Sequence, residues 1–128
     1  MKSILLLLFV LLSCACTAFH ATPSDLPLEH VVLVWLNKPG DPNEQAKILG
    51  VASELRKIPG VIAVNAGLAL PSTKPVVDSS FDVGVVITLS SAAALEAYQA
   101  SEIHQRVLKE VLKPATKRYI VYDIVRAE

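Results

Sequence analysis

The residues best suited to chemistry lie between Tyr98 and Lys113, in the stretch YQASEIHQRVLKEVLK. His104, Val107, Leu108 and Val111 recur at i, i+3, i+4 and i+7, which sets one imidazole on an otherwise apolar helical stripe. Ser101 is placed to cap that helix, and Glu102 adds negative charge to its first turn. Tyr98 ends the preceding alanine-rich helix, and a bend at Ser101 would turn phenol and imidazole toward one space. An imidazole titrating near pH 6.5 suits a general base, while a phenol donates a hydrogen bond. The pattern places a pocket here without naming a reaction. His104 is equally at home as a helix-face residue hydrogen-bonded in a dimer core, and Tyr98 as a core ring with its hydroxyl at the rim.

Other chemistries find no support. Cys14 and Cys16 both precede the domain, which excludes a disulfide framework, a thiolate nucleophile and a cysteine-ligated metal within the fold. His20 falls in the same leading segment, so the domain keeps only His30 and His104. Its carboxylates at Asp78, Asp82, Glu96 and Glu102 are scattered, whereas catalytic zinc needs three protein ligands in fixed geometry. No metal and no cofactor is expected, and no glycine-rich phosphate loop, nucleophile elbow or dinucleotide fingerprint occurs. A formal net charge of zero gives no reason to expect nucleic acid or an anionic membrane surface as partner.

The 128 residues suffice for one domain, and 52% apolar with 19% charged residues suits a packed core. His30 to Leu36 reads as a strand buried on both faces, with His30, Val32, Val34 and Leu36 on one side and Val31, Leu33 and Trp35 on the other. Asp41-Pro42-Asn43-Glu44 opens a helix with its N-cap, N1 proline and N3 acid in order. Ile48, Val51, Ala52 and Leu55 form its apolar stripe, and Pro59-Gly60 stops it. Gly50 weakens its middle by about 1 kcal/mol and marks close packing against a strand. Strands are expected at Val61–Leu70, Ser80–Leu89 and Tyr119–Val125, with helices at Ala92–Ala100 and on to Lys113-Pro114.

The order β-α-β-β-α-β is the split βαβ of an α+β, ferredoxin-like domain, with helices on one face of a four-stranded antiparallel sheet. The strands are too apolar for the other face to meet water. A homodimer packing two sheets face to face, closing into an α/β barrel, would cover it.

Residues 1–21 read as an export signal: Lys2 gives a positive start, Ile4 to Leu12 an apolar run too short for a bilayer, which needs roughly 20 residues. Leu11-Leu12-Ser13-Cys14 fits a lipobox that would lipidate Cys14; cleavage after Ala15 or Ala18 is the alternative. The chain is therefore expected outside the cytosol, in the periplasm, on the outer membrane as a lipoprotein, or secreted. A lipid at the N-terminus would be its only membrane contact. Residues 22–28 form a linker to a domain at 29–126.

Several short motifs resemble the stress-responsive A/B barrel (Dabb) family. They are His30-Val31-Val32-Leu33, Ile58-Pro59-Gly60-Val61, Gly67, Phe81-Asp82, and Tyr98 with His104. The family tends to carry Tyr-x-x-His-Pro-x-His at the last of these, where this chain has Ser101 and Glu102 in place of the first His and the Pro. The resemblance spans Glu29 to Arg126 and implies a dimeric α/β barrel. A polyketide cyclase of that family is similar at His30, Tyr98 and His104. On that likeness His104 would remove a proton α to a carbonyl. Tyr98 would bond the developing enolate oxygen or orient the imidazole, and His30 would fix substrate or water. Three functions stay open: an exported dimer binding a small apolar or carbonyl-bearing ligand, a cofactor-independent cyclase or lyase, and a structural dimer without ligand.

Overall fold

Alternation along the central strands decides the architecture. In β1 (Leu28–Leu36) the buried residues are all even ones, Leu28, His30, Val34 and Leu36, with Val32 partly buried between them. In β3 (Val83–Leu89) the odd residues Val83, Val85, Ile87 and Leu89 take the same side, because β1 and β3 pair antiparallel with Val32 opposite Val85. The computed structural model describes residues 22–127. The expected export signal, with Cys14, lies outside the described residues. Leu28, expected in the linker, is already the first residue of β1.

The remaining elements are α1 (Pro42–Gly50), α2 (Ala52–Leu55), β2 (Val61–Leu68), α3 (Ala92–Ala100), α4 (Glu102–Val107), a π-helical turn (Leu108–Leu112), α5 (Lys113–Ala115) and β4 (Thr116–Val125). The sheet order is β2-β3-β1-β4, every pair antiparallel, which is the ferredoxin-like arrangement the element order implied. One face carries the helices and the core, where Ile48, Leu55, Ile58 and Tyr98 pack on Val64, Val83 and Ile87.

Local chemistry fixes each junction. Asp41 caps α1 by accepting from the backbone N–H groups of Asn43 and Glu44, with Pro42 at the first helical position. Gly60, at φ +87°, lies so close to α3 that a Cβ there would sit 2.8 Å from the Ala94 Cβ, so the Ile58-Pro59-Gly60 turn admits no larger residue. Ser80 to Asp82 was expected in the third strand; these residues serve the turns instead. The Asp82 carboxylate accepts from Leu36 N at 2.9 Å and Gly40 N at 2.7 Å, locking the end of β1 to the turn that enters α1. Gly50 likewise departs from expectation. A Cβ there would meet nothing within 4 Å, so it marks open space rather than close packing.

The expected helix from Ser101 to Lys113 is interrupted. Leu108–Leu112 winds as a π turn, and the N–H of Lys113 bonds back to the Leu108 carbonyl five residues earlier. Pro114 supplies the reason: its ring crowds the carbonyl four residues before it and its missing N–H breaks the ladder, and a widened turn accommodates both.

Among the described residues no helix lies over the second face of the sheet. Val31, Leu33, Val86, Ile120, Tyr122 and Ile124 share it by register, and Tyr122 and Ile124 are each more than half exposed. Its ends are polar. Arg118 stacks 3.9 Å above the Trp35 ring at one, and Glu29 pairs with Arg126 at 2.7 Å at the other.

Candidate functional site

Ser101 organises the helical side of the site. Its extended backbone separates α3 from α4, its hydroxyl donates to the Tyr98 carbonyl at 2.8 Å, and the same oxygen accepts from the His104 N–H at 3.2 Å. One serine thus ends one helix, caps the next, and holds Tyr98 and His104 on either side of the bend. Their ring centroids are 4.6 Å apart, tilted by 49°.

From the sheet, β1 brings His30 to Tyr98 as well, edge to face with centroids 5.6 Å apart. The three residues singled out from sequence therefore form one cluster, both imidazoles packing on the phenol ring. They border a cavity of about 50 Å³ lined by Val32, Ile87, Leu55, Val107 and Leu108 among others. Such a space holds a few waters and falls well below the roughly 300 Å³ of an ordinary small-molecule pocket.

Hydrogen bonds set the ring tautomers. His104 Nδ1 lies 3.1 Å from the Gln99 carbonyl, which only accepts, so Nδ1 carries the proton and Nε2 keeps the lone pair when the ring is neutral. Burial holds the His104 imidazole below its ordinary pKa of 6.5; the Gln99 carbonyl opposes this and the nearby His30 adds to it. Burial likewise pushes the Tyr98 phenol up to about 12, so it stays protonated. Among the described residues the Tyr98 hydroxyl bonds no partner, yet no fully buried side-chain nitrogen or oxygen is left without one. That hydroxyl therefore keeps some accessible surface and is free to donate to water or to another small molecule.

His30, 5% exposed, donates from Nδ1 to the Asp123 carboxylate at 2.6 Å. Asp123 faces His30 directly across the β1–β4 ladder and fixes the plane of its ring. Sequence reasoning missed Asp123. Its signal lay in β4, where Tyr119, Val121 and Asp123 alternate onto the helix side, a lone carboxylate in an apolar row. Among the described residues, no cluster of three or more His, Cys, Asp or Glu side chains is placed to hold a metal ion.

The lowered His104 pKa ties stability to pH. Above pH 6.5 the ring is neutral folded and unfolded; below it the unfolded chain takes the proton first. Stability is thus expected to fall as pH drops through 6.5 to the lower folded value and then level off with respect to this group. Urea midpoints at pH 7.5 and pH 5.5 should differ less in His104→Gln; an unchanged difference would remove the half-buried imidazole from the account.

The profile of the stress responsive A/B barrel domain family matches residues 28–126. No curated protein sequence matches the chain. Solved structures do. A Dabb-family protein with a ferredoxin-like fold from Mesorhizobium loti superposes with a TM-score of 0.65 at 18% identity, covering 80% of this chain and 99% of its own. A dimeric ferredoxin-like protein of unknown function from Thermobifida fusca gives 0.65 at 20%, covering 79% and 92%. A hydroxynitrile lyase from Passiflora edulis gives 0.69 at 18%, covering 81% and 96%. At these identities the structures establish the shared fold, and the profile match over almost all the described residues establishes the kinship: the chain belongs to the stress responsive A/B barrel domain (Dabb) family.

Proposed function

We propose that this protein is an exported homodimer whose chains each hold a small carbonyl-bearing apolar ligand between sheet and helices. The observation that carries the ligand is the cluster of His30, Tyr98 and His104 on an otherwise apolar cavity, with a phenol that has no partner of its own among the described residues. A carbonyl oxygen is the complementary acceptor, and the aliphatic walls suit the rest of such a molecule. Dimerisation is supported by an apolar face that no described helix covers and by the dimeric Thermobifida fusca structure. The long edge strand β4 offers a ladder through which two sheets would close into a barrel. Export rests on the Lys2 and Ile4 to Leu12 pattern, with lipid on Cys14 or cleavage after Ala15 or Ala18 as its two forms.

A second reading, a cofactor-independent lyase or cyclase, is favoured by the state of His104. A neutral ring with Nδ1–H held by Gln99 leaves Nε2 to act as a base. The base would take a proton α to the carbonyl. The C–H electron pair would form the enolate double bond, and the charge gathering on oxygen would be met by the Tyr98 O–H. The Passiflora edulis neighbour, named for lyase chemistry, lends this some support at the level of fold alone.

Titrating the protein with 2-butanone and benzaldehyde separates the cases. Ligand is expected to raise the melting temperature, and His104→Ala to shift affinity by about tenfold or less. Exchange of the α-protons of 2-butanone with deuterated solvent, lost in His104→Ala, would establish the second reading. No stabilisation by any carbonyl compound would leave a structural dimer.

A further inference from the structure

A groove of about 590 Å³ runs along the outside of the same helices, between α1–α2 and the π turn. Val51 and Val111 line both this groove and the inner cavity, so a space of about 590 Å³ adjoins one of about 50 Å³ at these two valines. Val111 belongs to the π turn, where the helix has already departed from its regular ladder. Gly50 leaves the groove floor open, with room for a side chain that the sequence does not supply.

The charges around the groove restrict what would lie in it. Lys47 is paired with Glu44 at 2.8 Å, and Glu54 with Arg106. Among the described residues Lys38 and Glu110 have no ion-pair partner, one of each sign. Such a rim repels neither sign strongly and favours neither. It suits an uncharged polar group that donates and accepts hydrogen bonds.

Building on the carbonyl site above, we propose that the groove is that site's outer compartment and that the ligand is elongated. Its carbonyl end sits against His104 and Tyr98, its aliphatic middle passes between Val51 and Val111, and a hydroxyl-bearing or similar neutral polar end lies over Gly50 near Lys38 and Glu110. The inner cavity is too small for more than the reacting end of such a molecule. The groove supplies the remaining volume, and rotation of the Val111 side chain at the irregular turn joins the two.

The test compares 2-butanone with 9-hydroxynonan-2-one by calorimetry. The long ketone is expected to bind about tenfold or more tighter than the short one. Gly50→Leu, whose Cβ meets no neighbour, fills the groove without touching the inner cavity. It should remove the long ketone's advantage and leave 2-butanone within about twofold. Ala46→Phe, which fills the groove from the exposed side of α1, should do the same; Gly50→Ala, adding one methyl, should not. Folded Gly50→Leu and Ala46→Phe proteins that still prefer the long ketone would overturn the outer compartment and leave the carbonyl site standing. Wild-type protein that binds neither ketone would overturn both.

Discussion

Replacing Leu33 with aspartate is expected to split the proposed homodimer into single chains. Leu33 sits mid-strand on the uncovered face, beside Gly84 on one neighbouring strand and Ile120 on the other. It takes no part in the core beneath the helices, so the fold of each chain should survive the change. In a two-fold assembly of facing sheets about 10 Å apart, the substitution places two carboxylates in one apolar layer. Each would lose its water without gaining a partner, because the charged side chains of this face lie at its ends, where Arg118 stacks on Trp35 and Arg126 pairs with Glu29. Burying such unpaired charge costs several kcal/mol, so the dimer dissociation constant should rise by about a thousandfold or more. Sedimentation at micromolar concentration should show two chains for the wild type and one for Leu33→Asp, with the same far-ultraviolet circular dichroism. A wild-type mass of one chain would remove the dimer, and with it the explanation for an apolar face in water.

What the sequence disclosed and what it hid follow from the range of the interactions. Ser101 announced the bend between Tyr98 and His104 because capping acts over three residues, and its hydroxyl accepts from the His104 N–H as such a cap should. Alternation in β3 announced which face is buried for the same local reason. The partner of His30 is another matter. Asp123 is 93 residues away, and only the register of β1 against β4 brings the two together. Register is a property of the whole sheet, set by many weak side-chain preferences at once. Asp82 was visible as a motif residue beside Phe81, yet its work lies outside the strand in which it was expected. It holds the backbone of Leu36 and Gly40. Gly50 read as a mark of close contact because helix-interior glycine usually has a packing reason; here it borders a groove. The π turn was legible in principle from Pro114, since a proline so placed must disturb the turn before it.

Tyr98 offers the sharpest separation of stability from function. The ring is 2% exposed and packs against two imidazoles, so Tyr98→Ala should cost about 3–5 kcal/mol through lost burial and the cavity left behind. For a domain of this size that lowers the melting temperature by well over 10 °C, at about 4 °C or more per kcal/mol. Tyr98→Phe keeps the ring and removes a hydroxyl that bonds no described residue, so stability should change by less than about 1 kcal/mol. Binding should not be spared. If the phenol donates to a ligand carbonyl, its loss costs about 0.5–1.5 kcal/mol, a drop in affinity of roughly 2- to 12-fold. Where the oxygen becomes an enolate the cost moves to turnover and grows to about 10²–10³ in kcat, because a preorganised donor acts most strongly on developing charge. Thermal melts and ketone titrations of both variants thus test one hydroxyl in two ways. A Tyr98→Phe protein as unstable as Tyr98→Ala would mean that the phenol serves the fold. A stable one that binds ketones as well as wild type would mean that the hydroxyl faces no ligand. The combination expected here, intact stability with weakened binding, requires a donor that the chain holds ready and does not itself use.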